Sequence, residues 1–192
     1  MSTIQGILAV VLILVALLVM VVVTTDNARR RREKLRRRFG PEYDRAVQLL
    51  GSVSNAEKEL AARARRLEHF KLRDINGADR AHYANAWSAL QARFVDNPSG
   101  AVSEASKLIK TVMQARGYPV EDFEHRVEDL SVDHANVVQH YRAAHVLALA
   151  NREGRANTEE LRQAFVHYRA LFTDLLAEPK GEQPSLHHAQ RA

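Results

Sequence analysis

The chain has 192 residues, 27% of them charged, a formal net charge of +5 and no cysteine. Without cysteine there is no disulfide, no thiolate nucleophile and no Cys-ligated zinc or iron–sulfur centre. The surplus charge is local: residues 24–40 carry eight Arg or Lys against Asp26 and Glu33, a net of +6, which leaves −1 for the remainder.

The first element is the run Ile7–Val23, ILAVVLILVALLVMVVV, which has no charged, polar or proline residue. Taken from Ile4 it is long enough to cross a ~30 Å hydrocarbon core at ~1.5 Å per residue. No basic residue precedes it and no small-residue cleavage pattern follows it, which disfavours a signal peptide. The arginine pairs come after the apolar run, so they are no twin-arginine export signal. Residues 1–24 are therefore predicted to form an uncleaved transmembrane helix.

A basic neck follows, made of Arg29, Arg30, Arg31, Arg32, Lys34, Arg36, Arg37 and Arg38. Arg and Lys beside a span stay on the cytoplasmic side. The expectation is a single pass through the cell (inner) membrane, with the N-terminus outside and residues 24–192 in the cytoplasm. The lipid bilayer is then the first partner, and the clustered cations attract anionic headgroups by about 1 kcal/mol each. No aromatic residues alternate with the arginines to stack bases, so nucleic acid is not an expected partner. No Pro or Gly falls between Ile7 and Phe39, so the helix is predicted to leave the membrane and break at Gly40-Pro41.

The rest reads as all-α, because no stretch alternates with strand period and the breakers fall between helical periods. A short helix is predicted from Pro41 to Leu50, stopped by Gly51. Ser54-x-x-Glu57 reads as a capping box opening a charged helix to about Phe70, with Ala56, Leu60, Ala64 and Leu67 as a thin apolar stripe. Residues 25–76 are thus expected to form a basic neck and helical stalk.

Residues 77–178 are expected to form a bundle of four or five helices. The first, about Ala78 to Phe94, places Tyr83, Trp87, Leu90 and Phe94 on one face. The second opens at Asn97-Pro98 and runs to Arg116, with Val102, Ala105, Leu108, Ile109, Val112 and Met113 inward and Gly117 as stop. A short acidic helix, about Glu121 to Leu130, faces Phe123, Val127 and Leu130 inward. Asp133 is expected to cap a longer helix to about Asn151. Asn157-x-x-Glu160 opens the clearest amphipath, with Leu161, Ala164, Phe165, Tyr168, Leu171, Phe172 and Leu175 inward. Residues 179–192 are polar, contain Pro, and are expected to be a disordered tail.

Catalytic signatures are sparse. The glycines are isolated, so neither a phosphate-cradling loop nor a dinucleotide fingerprint is present, and there is no GxSxG or HExxH string. His140 and His145 are five apart and do not share a helix face. Asp79-x-x-His82 and Asp122-x-x-His125 sit in polar first turns, where acids favour the helix dipole rather than a di-metal site. No metal and no cofactor is expected. The acidic run Glu121, Asp122, Glu124, Glu128, Asp129, Asp133 reads first as a solvated face. His140-Tyr141-Arg142-Ala143 is echoed by His167-Tyr168-Arg169-Ala170, a similarity short enough to arise by chance. If the bundle binds something, Asp133, His134, Tyr141 and His145 are the candidate residues, at a helix start that bears acid, imidazole and phenol.

The strings RRFGPEYDRAV, QARFVDNP, ARGYPVEDFE and DLSVDHANVVQHYRAAH, between Arg37 and His145, resemble a family of small bacterial single-pass, membrane-anchored helical proteins. The resemblance implies a bacterial source and one N-terminal span. It brings no activity and no catalytic residue. The expected role is a membrane-tethered interaction or scaffold module that holds a protein partner at the cytoplasmic face. The alternatives are an enzyme or metal-binding bundle and an anionic-lipid sensor.

Overall fold

The computed structural model describes residues 3–177, with side chains from Leu12 onward. The described residues form eight α-helices and no strand, so the fold is all-α. The expected tail, 179–192, lies outside the described residues. The chain groups into two compact units, Met1–Ala61 and Ala62–Ala192.

In the first unit, α1 (Thr3–Phe39) is one unbroken helix of 37 residues. At ~1.5 Å per residue it is about 55 Å long, well beyond a ~30 Å hydrocarbon core. Its described part, Leu12–Phe39, is long and apolar enough to cross a membrane, and every residue from Leu12 to Val23 is exposed. The helix runs on because nothing interrupts its hydrogen bonding until Gly40, at φ 46, where Pro41 begins α2 (Pro41–Leu50). Gly51, at φ 64, ends α2 in the left-handed conformation that glycine adopts without penalty.

The next helix, α3 (Val53–Glu68), departs from the expected start. Ser54 lies inside it, and Ser52 is the residue whose hydroxyl faces an early backbone amide, that of Asn55 at 3.5 Å. Glu57 does not cap. Its carboxylate accepts from the Tyr43 hydroxyl and from Arg32 Nε, each at 2.9 Å. Burial works against this carboxylate, yet the two hydrogen bonds outweigh it and hold its pKa below the usual range. The thin apolar stripe is buried throughout, at Ala56, Leu60, Ala64 and Leu67.

The second unit contains α4 (Gly77–Asp96), α5 (Pro98–Ala115), α6 (Phe123–Asp133), α7 (Val138–Arg152) and α8 (Thr158–Leu176). Helices α4 and α5 form one hairpin, α7 and α8 another, and the hairpins meet through α5 and α8. Side-chain caps set the starts. Asn76 accepts from the Asp79 amide, Asn97 from Gly100, Asp122 from His125, and Asn157 with Glu160 completes a capping box. The end of α5 is a Schellman motif: Gly117 N–H donates to the Gln114 carbonyl and Tyr118 N–H to Met113. Gly117 sits at φ 85, and a side chain there would meet the Lys71 carbonyl at 2.5 Å.

All seven inward positions expected of α8 are buried, and those of α5 are buried except the half-buried Leu108. Trp87 on α4 lies between Phe165 and Phe172 of α8, with ring centroids 4.8 and 4.6 Å away. Full burial of side chains such as Leu171 and Leu175 contributes about 1.5–3 kcal/mol each.

The α6–α7 region corrects the sequence reading. Helix α6 runs on through Asp133, so Asp133 ends one helix rather than capping the next. Helix α7 begins only at Val138, without a side-chain cap. The acidic run is a solvated face only in part: Glu121, Asp122, Glu124 and Asp133 are exposed, but Glu128 and Asp129 are not. Asp129 is 1% exposed and accepts from Arg66 Nε at 3.0 Å, while Glu128 binds Arg66 at 2.9 Å and Arg63 at 3.3 Å.

Candidate functional site

The basic neck forms a collar on the last turns of α1, and its cations are not equivalent. Arg30 pairs with Asp26, Arg32 with Glu57, Arg36 with Asp44 and Arg37 with Glu33. Arg29, Arg31 and Lys34 have no ion pair among the described residues. The collar therefore keeps uncompensated cations at Arg29, Arg31 and Lys34, although at least half of its charges are tied internally.

The four candidate binding residues separate into two places. Asp133 and His134 lie at the end of α6. Asp133 accepts from the Tyr118 hydroxyl at 3.4 Å, and His134 Nδ1 lies 2.5 Å from the Asp174 carboxylate of α8. His134 is buried, and its other ring nitrogen has no hydrogen-bond partner among the described residues. Both residues lock α6 to its neighbours. Tyr141 and His145, one turn apart on α7, instead line a cavity of about 260 Å³ bounded by α5, α6 and α7.

The cavity is built from three helix faces. Ser103, Ser106, Lys107 and Lys110 recur at the spacing of one face of α5. Tyr141, His145, Ala148 and Arg152 do the same on α7, and Arg126 enters from α6. No Asp or Glu lines it. Lys107, Lys110, Arg126 and Arg152 have no ion pair with any described carboxylate.

Arg126 is the anchor. It is 6% exposed, yet its hydrogen-bond partners are neutral: Nε donates to the Tyr141 hydroxyl at 2.9 Å, and Nη1 to the backbone carbonyls of Glu121 and Val120. These bonds fix the plane of the guanidinium. The His145 ring stacks on Phe123 with centroids 3.6 Å apart. Partial burial, with Arg152, Arg126 and Lys110 close by, holds the His145 imidazole below its ordinary pKa, against a smaller opposing pull from Glu124. Partial burial and the charges of Arg126 and Arg152 likewise lower Lys110. Burial raises Tyr141, with Arg126 opposing. The local field is thus positive, and it favours a negative charge in the cavity.

Sequence reasoning picked out Tyr141 and His145 but missed Arg126, Lys107, Lys110 and Arg152. The usable signal was the pair of polar stripes beside the apolar ones, SxxSKxxK on α5 and YxxxHxxAxxxR on α7. Among the described residues no group of three or more His, Asp or Glu is placed to hold a metal ion. Comparisons with protein-family models, curated proteins and solved structures give no significant match to the chain.

Proposed function

We propose that this chain is a membrane-tethered helical recognition module. Its α1 spans a bilayer, and its second unit is held on the arginine side, at the cytoplasmic face. The observation that carries this reading is α1 itself. One continuous helix is exposed and apolar over Leu12–Val23 and then strongly basic over Arg29–Arg38. A helix apolar on every side belongs in lipid, and its basic flank belongs on the cytoplasmic surface. The tether raises the local concentration of the helical unit near the membrane, so that a partner or ligand taken up there is kept at that surface.

Alkaline carbonate washing of membranes from cells that express the chain tests the tether. The full chain should stay in the membrane pellet, and a chain lacking residues 1–27 should leave it. Release of the full chain by the wash would contradict a spanning helix.

The unpaired Arg29, Arg31 and Lys34 favour a second, compatible reading in which the collar prefers anionic lipid. Replacing these three with Gln should weaken the preference of the reconstituted chain for phosphatidylserine-containing vesicles. An unchanged preference would refute it.

A further inference from the structure

We propose that the cavity between α5, α6 and α7 is a binding site for a phosphoryl dianion carried on a small molecule. This goes beyond the tether and does not rest on it.

Several arginines elsewhere in the second unit have found carboxylates: Arg66 holds Glu128 and Asp129, Arg93 holds Glu104, and Arg162 holds Glu159. Around the cavity Lys107, Lys110, Arg126 and Arg152 converge from three helices with no carboxylate among its lining residues. Converging like charges is unfavourable unless a counter-charge enters, and the repulsion grows where water is partly excluded.

Chemistry narrows the counter-charge. The cavity offers four cations together with the Ser106 hydroxyl, that of Ser103 being donated to the Ser99 carbonyl, and this set suits several oxygens on one centre. A phosphoryl group presents three such oxygens and close to two charges, whereas a carboxylate presents two oxygens and one charge. Arg126 supplies the directional element. Its Nε and Nη1 are engaged by Tyr141 and backbone carbonyls, and its Nη2 makes no hydrogen bond to a described residue. A buried guanidinium oriented by neutral groups loses little freedom on meeting an anion. The volume of about 260 Å³ lies just below the ordinary range for ligand pockets, which suits a phosphorylated small molecule or headgroup and not a dinucleotide.

The same phosphoryl chemistry occurs on a soluble phosphomonoester and on a phosphatidic acid headgroup. The test uses the full chain in nanodiscs and reads binding by calorimetry and by thermal shift. In phosphatidylcholine nanodiscs, glycerol phosphate is titrated. In a parallel arm, phosphatidic acid replaces part of the phosphatidylcholine. Saturable binding of glycerol phosphate assigns a soluble ligand. Stabilisation by phosphatidic acid alone assigns the headgroup.

In either arm, Lys110→Gln with Arg152→Gln should weaken the effect by about tenfold or more, since each removes a charge-assisted hydrogen bond. Both positions are exposed, so the double variant should fold even if Arg126→Gln does not. Arg162→Gln, which changes a surface cation on α8, should leave binding unchanged. No saturable effect from either phosphoryl source up to about 10 mM, or an effect that survives Lys110→Gln/Arg152→Gln, overturns the proposal.

Discussion

His140 of α7 and His167 of α8 meet Nδ1 to Nδ1 at 2.9 Å, and each opens the same four-residue string, His-Tyr-Arg-Ala. The next residues of the two strings, Tyr141 and Tyr168, also approach, with ring centroids 6.4 Å apart. The repeat that looked accidental in sequence thus marks where the two helices face one another. At 2.9 Å one imidazole must offer a lone pair while the other offers a proton, so the pair does not accept a second charge readily.

This pair makes the fold acid-sensitive. His167 is held below its ordinary pKa by burial and then by His140, and His145 is lowered by burial and its neighbouring cations. The folded chain therefore binds fewer protons than the unfolded chain just below pH 6.5, so stability falls as pH drops through that window. His125, raised by its hydrogen bond to Asp122, works in the opposite sense, but both side chains are exposed to water and the effect is small. Thermal unfolding should show a lower Tm at about pH 5.5 than at about pH 7.5, and His145→Gln with His167→Gln should flatten the difference. An unchanged pH profile in the double variant would show that other groups control it.

Two glycines separate conformational from steric cost. Gly154→Ala, at φ 68 in open space, should lose about 1 kcal/mol for the left-handed backbone alone. Gly117→Ala should lose more, about 2 kcal/mol or above, because the new carbon also strikes the Lys71 carbonyl. Equal losses in urea unfolding would mean that the 69–76 connection yields.

Arg66→Ala leaves the Asp129 carboxylate buried without its main counter-charge. A loss of about 2 kcal/mol is expected, below the range for fully enclosed pairs because water still reaches Arg66. Chemical unfolding measures it. The rescuing variant is Arg66→Ala with Asp129→Asn, which should recover part of the loss by removing the stranded charge.

The Asn157–Glu160 capping box begins the helix with the most regular apolar face. Asn157→Ala should cost about 1 kcal/mol, while Asn157→Ser should cost little, as read from urea midpoints.

These elements also show what the chain declares locally. Helix α8 was legible because its apolar residues keep one period and a capping box marks its start. Helix α4 was legible through the face of Tyr83, Trp87, Leu90 and Phe94, and α5 through Asn97-Pro98 and the Gly117 stop. Helix α6 was misjudged because Arg126, Asp129 and Ser131 occupy its buried face, and polar residues there break the apolar pattern. The partners of Asp129 and Arg126 are Arg66 and Tyr141, 63 and 15 residues away, which no local pattern announces. Glu57 misled for the same reason, since Tyr43 and Arg32 claim the carboxylate that a capping box would use. The cavity was invisible because each of its stripes resembles an ordinary solvated helix face, and only their convergence makes a site.

We place α1 across a membrane, with the helical unit on the arginine side. The absence of native cysteine permits a direct measurement. Ser2→Cys and Val95→Cys are made singly, Val95 being 82% exposed in the second unit, and intact cells are treated with a membrane-impermeant maleimide. The Ser2→Cys chain should be labelled in intact cells, and the Val95→Cys chain only after permeabilisation. Labelling of the Val95→Cys chain in intact cells would place the helical unit outside and contradict the orientation drawn from the arginine collar.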